Sequence, residues 1–343
     1  MIRILIADDS ELVRVVLRDL LSQDPAVEVV AEVCDGRAAV EETARLKPDL
    51  VIMDVMMPVM NGLEAVAEIM AATPTPILML SANTDPHDSG SAFAAIKLGA
   101  LDIMEKPTGV VTEAFLRIAE QLITKVKSLS RIRVIHHYRA QRPRLETPQV
   151  VSSTRPRRLL AIGASTGGPK AVLQLLQELP ADFDASVLIV QHIADGFAPG
   201  FADWLDRETV LPVSMAENDS VLTPGTVLVA PNQLHLTVCA NRIVLQDSPP
   251  LNNCRPAVDA MFHSLAEQRL VAEETVAVLL TGMGTDGAEG LSSMYKQGAY
   301  TIAQNETSCA VFGMPKAAIS RGAATQVLPL EHIAEVVTGL FAR

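Results

Sequence analysis

Residues 1 to about 125 alternate short apolar runs with helix-patterned stretches, and that alternation restricts the fold more than any other feature of the chain. Runs at Ile2–Ala7, Val27–Val33, Leu50–Met53, Ile77–Leu80 and Leu101–Met104 are short enough to read as buried strands. Between them, Ser10–Leu21, Arg37–Leu46, Gly62–Met70 and Ser91–Leu98 carry helical spacing. Five strand–helix units predict an α/β domain with a parallel sheet and helices on both faces. In such sheets functional groups gather at the carboxyl ends of the strands. Those ends carry Asp8-Asp9, Asp54, Ser81-Ala82 and Lys106-Pro107.

Three carboxylates at one sheet edge repel each other unless a hard cation sits among them. Oxygen-only ligands point to Mg2+ at Asp8, Asp9 and Asp54. Lys106 adds a point charge and Ser81 a hydroxyl, so with Asp54 as nucleophile the set suits phosphoryl transfer. An isolated aspartate reads as a turn or cap residue; four matching strand ends in order do not. Residues 1 to about 125 therefore resemble a response-regulator receiver domain. The family's acidic pair falls on Asp8 and Asp9, and its phosphoacceptor on Asp54 within Asp54-Val55-Met56-Met57-Pro58-x-x-Asn61-Gly62. Its hydroxyl switch falls on Ser81 and its lysine on Lys106. Ile103 departs from the pattern, because receivers usually carry an aromatic residue three positions before the lysine. The resemblance thus does not extend to an aromatic rotamer switch.

At 343 residues the chain has length for about two domains. Between Lys125 and Arg158 stand ten Lys/Arg and one acid, Glu146, while hydrophobic periodicity fades and prolines interrupt it. Residues 126–156 read as a basic interdomain linker, either a solvated tether or a docking segment, between domains at 1–125 and 157–343. A net charge of -12 argues against nucleic acid as the main partner. Cys34, Cys239, Cys254 and Cys309 form no C-x-x-C pair, so buried reduced thiols are expected rather than a disulfide framework or a zinc site. The N-terminus runs from apolar residues straight into two carboxylates, unlike a signal peptide, and no apolar stretch spans a bilayer. A cytoplasmic location is expected.

In the second half, the apolar run from Leu159 stops at Gly163-Ala164-Ser165-Thr166-Gly167-Gly168-Pro169, and helical spacing follows. Gly163-x-Ser165-x-Gly167 has the spacing of a nucleophile elbow, and it also reads as a Gly-rich turn with a capping serine. Ala185 to His192 is a buried-strand pattern ending on a histidine that either orients a loop or acts as a base. Leu234–Cys239 and Arg242–Gln246 read as a hairpin, and Ala257–Ala266 as a helix with Met261 and Phe262 in its core face. The run Thr275–Leu280 feeds Thr281-Gly282-Met283-Gly284-Thr285-Asp286-Gly287 and a helix to Gln297.

That last turn contains a literal G-x-G-x-x-G, with Glu306 at about the distance of a ribose-binding acid. Against a dinucleotide site, Asp286 would stand where a pyrophosphate should lie. The alternative joins three strand ends, Ser165, His192 and Asp286, facing one crevice of a doubly wound sheet as nucleophile, base and orienting acid.

Together with the receiver and linker, residues 157–343 resemble the catalytic domain of the chemotaxis response regulator protein-glutamate methylesterases, the CheB family. The matching motifs are the Gly163–Pro169 turn, Gln191-His192, Arg255-Pro256-Ala257-Val258-Asp259 and Thr281-Gly282-Met283-Gly284-x-Asp286-Gly287. The resemblance implies a triad at Ser165, His192 and Asp286, with the oxyanion contact on the backbone N–H of Met283 and no cofactor in this domain. It implies hydrolysis of glutamate methyl esters on methyl-accepting chemoreceptors, and deamidation of receptor glutamines. It also implies a chemotaxis sensor histidine kinase as phosphodonor, and an unphosphorylated receiver that covers the active site. The competing reading is a receiver-regulated nucleotide-binding or DNA-binding protein without esterase activity; a basic second domain with a recognition helix is not visible after Arg158.

Overall fold

The computed structural model describes residues 1–81, 86–107, 113–132 and 156–342. The chain divides into two compact units, Met1–Ala140 and Gln141–Arg343. Most of the expected linker, and Ala82, lie outside the described residues.

The first unit runs β1 (Ile2–Ala7), α1 (Glu11–Leu21), β2 (Val27–Val33), α2 (Gly36–Leu46) and β3 (Leu50–Asp54). It continues through α3 (Gly62–Ala72), β4 (Ile77–Ser81), α4 (Pro86–Leu98), β5 (Asp102–Glu105) and α5 (Glu113–Leu129). Its strands form one parallel sheet in the order β2-β1-β3-β4-β5. Every residue of β3 and β4 is buried, as a strand covered on both faces must be. Ser10 caps α1, and Asn61 with Glu64 closes a capping box on α3. Two strands end later than their apolar runs, because Asp54 and Ser81 still pair with neighbouring strands. The unit also outruns the expected boundary at 125. Leu122, Val126 and Leu129 keep a buried stripe on α5, and Lys125 pairs with Asp102 of β5. Basic residues on the outer face of a packed helix had the composition of a tether.

The second unit begins with β6 (Leu159–Ala164), α6 (Gly168–Gln177), β7 (Ser186–Gln191), α7 (Phe197–Glu208), β8 (Val213–Met215) and β9 (Val227–Val229). A hairpin, β10 (His235–Cys239) and β11 (Arg242–Gln246), leads to α8 (Val258–Ala266), α9 (Arg269–Glu273) and β12 (Thr275–Leu279). The chain ends with α10 (Ala288–Lys296), β13 (Tyr300–Gln304), α11 (Met314–Ser320), β14 (Gln326–Leu328) and α12 (Leu330–Phe341). Seven strands form a parallel sheet in the order β14-β13-β12-β6-β7-β9-β8. The chain winds outward from β6 through β7, then returns across β6 to lay down β12, β13 and β14. The strand order therefore reverses between β6 and β12, which is where open α/β sheets form a crevice.

Met261 and Phe262 are fully buried in this unit's core, as expected. The four cysteines are free, but Cys34 and Cys239 are exposed and Cys254 and Cys309 only partly covered. Cys239 ends the hairpin strand on its solvent side, which corrects the expectation of buried thiols. Among the described residues, no helix is long and apolar enough to cross a membrane.

Candidate active site

At the first unit's own reversal point, between β1 and β3, the strand ends gather the expected residues. Asp8 and Asp54 are buried, and Asp8, Asp9 and Asp54 each offer an oxygen within 4.8 Å of the others. Lys106 Nζ lies 2.9 Å from Asp8 Oδ2 and 2.8 Å from Asp54 Oδ1. Burial pushes the Asp54 carboxyl up to about 6; Lys106 pulls against this, while the charges of Asp8 and Asp9 add to it. The Ser81 hydroxyl, 1% exposed as a residue, has no hydrogen-bond partner among the described residues. An orphaned buried hydroxyl beside an all-oxygen acidic cluster fits a site made for a hard cation and an anionic oxygen.

In the second unit, backbone register brings three strand ends together. Ala164 pairs with Gln191 and Gly163 with Leu279, so the residues that follow each strand emerge side by side. Ser165 N–H donates to Thr281 O at 3.0 Å, and His192 N–H to Ala164 O at 2.9 Å. Gln191 Nε2 donates to the carbonyls of Ser165 and His192, both at 2.8 Å, tying the two turns together. Ser165 does not cap α6: the capping position is Gly167, at φ 74°, with no side-chain hydrogen bond. The capping alternative is thereby removed, and the serine hydroxyl is left without a hydrogen bond to any described residue.

Gly282 is required by close approach. A methyl group there would lie 2.7 Å from Ser165 Cβ and 2.2 Å from Met314 Sδ. The turn after β12 therefore sits directly against the serine.

His192 Nε2 lies 2.8 Å from Asp286 Oδ2. An ionised carboxylate only accepts, so Nε2 carries a proton, and in the neutral ring Nδ1, which faces Cys254 Sγ at 3.8 Å, is the nitrogen left as acceptor. Burial works to lower the His192 pKa, but the Asp286 hydrogen bond, the Cys254 sulfur and the carboxylate charge outweigh it and raise the imidazole above its ordinary value. Asp286, 3% exposed at its side chain, moves the other way: burial raises it, and His192, Asn252 and Val258 together bring it down to about 2.

The support of Asp286 was not visible in the sequence. Its Oδ2 accepts from Val258 N–H at 2.7 Å and its Oδ1 from Asp259 N–H at 3.1 Å, so it caps the first turn of α8, whose own capping residue, Ala257, cannot. In return Asp259 Oδ1 accepts from Gly290 N–H at 2.6 Å and caps α10, which begins after Gly287. Each helix N-terminus thus receives the carboxylate of the other's turn, where free N–H groups and the dipole favour negative charge. Asn252 Nδ2 bridges the pair, donating to Asp259 Oδ2 at 2.7 Å and Asp286 Oδ1 at 3.0 Å. Asn252 and Asn253 both have positive φ, 52° and 60°, inside a tight turn closed by Leu251 and Cys254. The Asn-Asn pair is the signal that could have found it, since asparagine tolerates the left-handed region such turns require.

These contacts also decide the G-x-G-x-x-G. A phosphate cradle needs the N-terminal amides of α10, and one of them is held by the Asp259 carboxylate. The glycines serve backbone geometry instead: Gly284 and Gly287 both have positive φ, 83° and 81°.

The two halves of this chain match two known families. The CheB methylesterase family model covers residues 160–337, and that of the response regulator receiver domain covers residues 4–113. A protein-glutamate methylesterase/protein-glutamine glutaminase 4 of Geobacter metallireducens is 42% identical over 99% of each chain. One of Syntrophus aciditrophicus is 41% identical over 99% of this chain and 98% of its own. Among solved structures, the Thermotoga maritima CheB methylesterase catalytic domain superposes with a TM-score of 0.52 at 38% identity, covering 54% of this chain and 98% of that one. With a receiver at the front and a matching α/β unit behind it, the chain belongs to the CheB methylesterase family.

Proposed function

We propose that this chain hydrolyses glutamate methyl esters on methyl-accepting chemoreceptors to glutamate and methanol, deamidates receptor glutamines, and is activated by phosphorylation of Asp54. The names of relatives matched over nearly their whole length support this activity. The observation that carries the reading is the 2.8 Å bond from His192 Nε2 to Asp286, set beside Ser165 at the point where the strand order reverses.

Ser165 Oγ attacks the ester carbonyl while its proton passes to His192 Nδ1, the nitrogen that Asp286 leaves open. The negative oxygen of the tetrahedral species is received by the backbone N–H of Met283. Collapse expels the methoxide, which takes the proton from Nδ1 and departs as methanol; a glutamine side chain loses ammonia in the same way. Water, deprotonated by the same nitrogen, then splits the acyl-enzyme and restores Ser165. Asp286 keeps the Nε2 proton throughout and stabilises the transient cation. In the reacting complex Ser165 Oγ and His192 Nδ1 come within hydrogen-bond reach, as hydroxyl–base bonds commonly tighten only once substrate is bound.

In the receiver, Asp54 attacks the phosphorus of a phosphohistidine on a chemotaxis sensor kinase, a partner of the cytoplasm, and the imidazole departs. Lys106 neutralises charge on the phosphoryl oxygens, and the orphaned Ser81 hydroxyl donates to one of them. Asp8, Asp9 and Asp54 would hold a Mg2+ ion, which when bound supplies the remaining positive charge. Methanol release from methylated receptor membranes, with and without a small-molecule phosphodonor, tests the reading. Release that rises with the donor is expected; no release under either condition would contradict it.

A further inference from the structure

The tight turn that supplies Asn252 also delivers a thiol to the active-site imidazole. Cys254 Sγ lies 3.8 Å from His192 Nδ1, while Nε2 is held by Asp286 at 2.8 Å. Nothing in ester hydrolysis by Ser165 calls for a sulfur there. A thiolate and an imidazole lone pair are, however, the donors that zinc and similar borderline-soft cations take most readily. With Zn–S of about 2.3 Å and Zn–N of about 2.0 Å, a tetrahedral ion holds its sulfur and nitrogen about 3.5 Å apart. The observed spacing is within a few tenths of an ångström of that edge.

Two further features favour a cation at this position. The ring is already fixed by a carboxylate on its second nitrogen, the arrangement that orients metal-bound histidines and raises their basicity. Both His192 and Cys254 are partly exposed, so an ion can enter from solvent.

We propose that Cys254 Sγ and His192 Nδ1 form an inhibitory site for a thiophilic divalent cation such as zinc. On binding, the Cys254 S–H bond breaks, and its proton, together with any proton carried by His192 Nδ1, leaves to water. Metal–sulfur and metal–nitrogen bonds replace two metal–water bonds, remaining waters complete the shell, and no atom changes oxidation state. The occupied Nδ1 can no longer accept the Ser165 proton, so ester hydrolysis stops. That consequence rests on His192 as the base; the cation site itself does not.

The test uses the full chain in excess Mg2+, which occupies the all-oxygen receiver site, with Co2+ as a spectroscopic stand-in. A thiolate-to-cobalt charge-transfer band is expected, displaced by Zn2+, unchanged in Asp54→Asn, and absent in both Cys254→Ala and Cys254→Ser, with circular dichroism confirming that the variants fold. Zn2+ should slow methanol release at least about tenfold, reversibly on adding a chelator, and much less in the Cys254 variants. No band in the native chain, or a band that survives in a folded Cys254 variant, overturns the site. A Cys254-dependent band with methanol release insensitive to Zn2+ would uphold the site and overturn His192 as the base.

Discussion

His192 presents to Asp286 the nitrogen that the best-known serine-hydrolase triads reserve for the serine, so the proposed mechanism places the base at Nδ1. Asp286→Asn should reduce methanol release by about 10²–10⁴-fold with little change in fold, because the ring loses both its fixed tautomer and the charge that stabilises its cation. The same pair makes a pH prediction. Asp286 is held at about 2 against an ordinary value of 3.8, so its contribution is present above about pH 4 and is lost as pH falls through about 2. His192 is raised, so its contribution is complete below its ordinary 6.5 and is lost as pH climbs through its elevated value. Urea unfolding followed at Trp204, the single tryptophan and buried in the second unit, should show Asp286→Asn less stable by on the order of 2 kcal/mol near pH 5. That gap should close toward pH 2. Residues at strand ends, such as Ser165 and Asp54, were legible because a parallel sheet puts its chemistry there. The tautomer of His192 and the bridging amide of Asn252 were not, since both depend on side chains meeting across distant segments.

Among the elements, the exchange of carboxylates between α8 and α10 makes one structure of two helices. Asp259→Ala should cost roughly 1–2 kcal/mol in the Trp204 unfolding assay, since it uncaps α10 and leaves Asn252 with one partner. The tight turn after β12 is a different case. Gly282→Ala forces a methyl group onto Ser165 Cβ and Met314 Sδ, and methionine can yield where the serine backbone cannot. Methanol release should therefore fall by about 10²-fold, as a small misplacement of a nucleophile predicts, and the overpacked turn should cost roughly 1–3 kcal/mol in the Trp204 unfolding assay. The long alternating elements were readable from periodicity. Strands β8, β9 and β14, three residues each, were too short to show any, and α7 hid behind Pro199 and Gly200, breakers that a helix tolerates in its first turn.

As a whole molecule, the chain repeats one architectural device: each parallel sheet reverses strand order where its candidate site lies, acidic oxygens in the first unit and the turns of Ser165, His192 and Asp286 in the second. The proposed function couples them through phosphorylation of Asp54. Asp54→Asn should abolish stimulation by a phosphodonor while leaving unstimulated methanol release at the native level; a variant that is still stimulated would remove the receiver from control. The direct test of the central claim is methanol release from methylated receptor membranes by Ser165→Ala beside the native chain. The account predicts a fall of about 10⁴-fold or more with the fold retained, as for loss of a covalent nucleophile. A rate within about tenfold of native would contradict it.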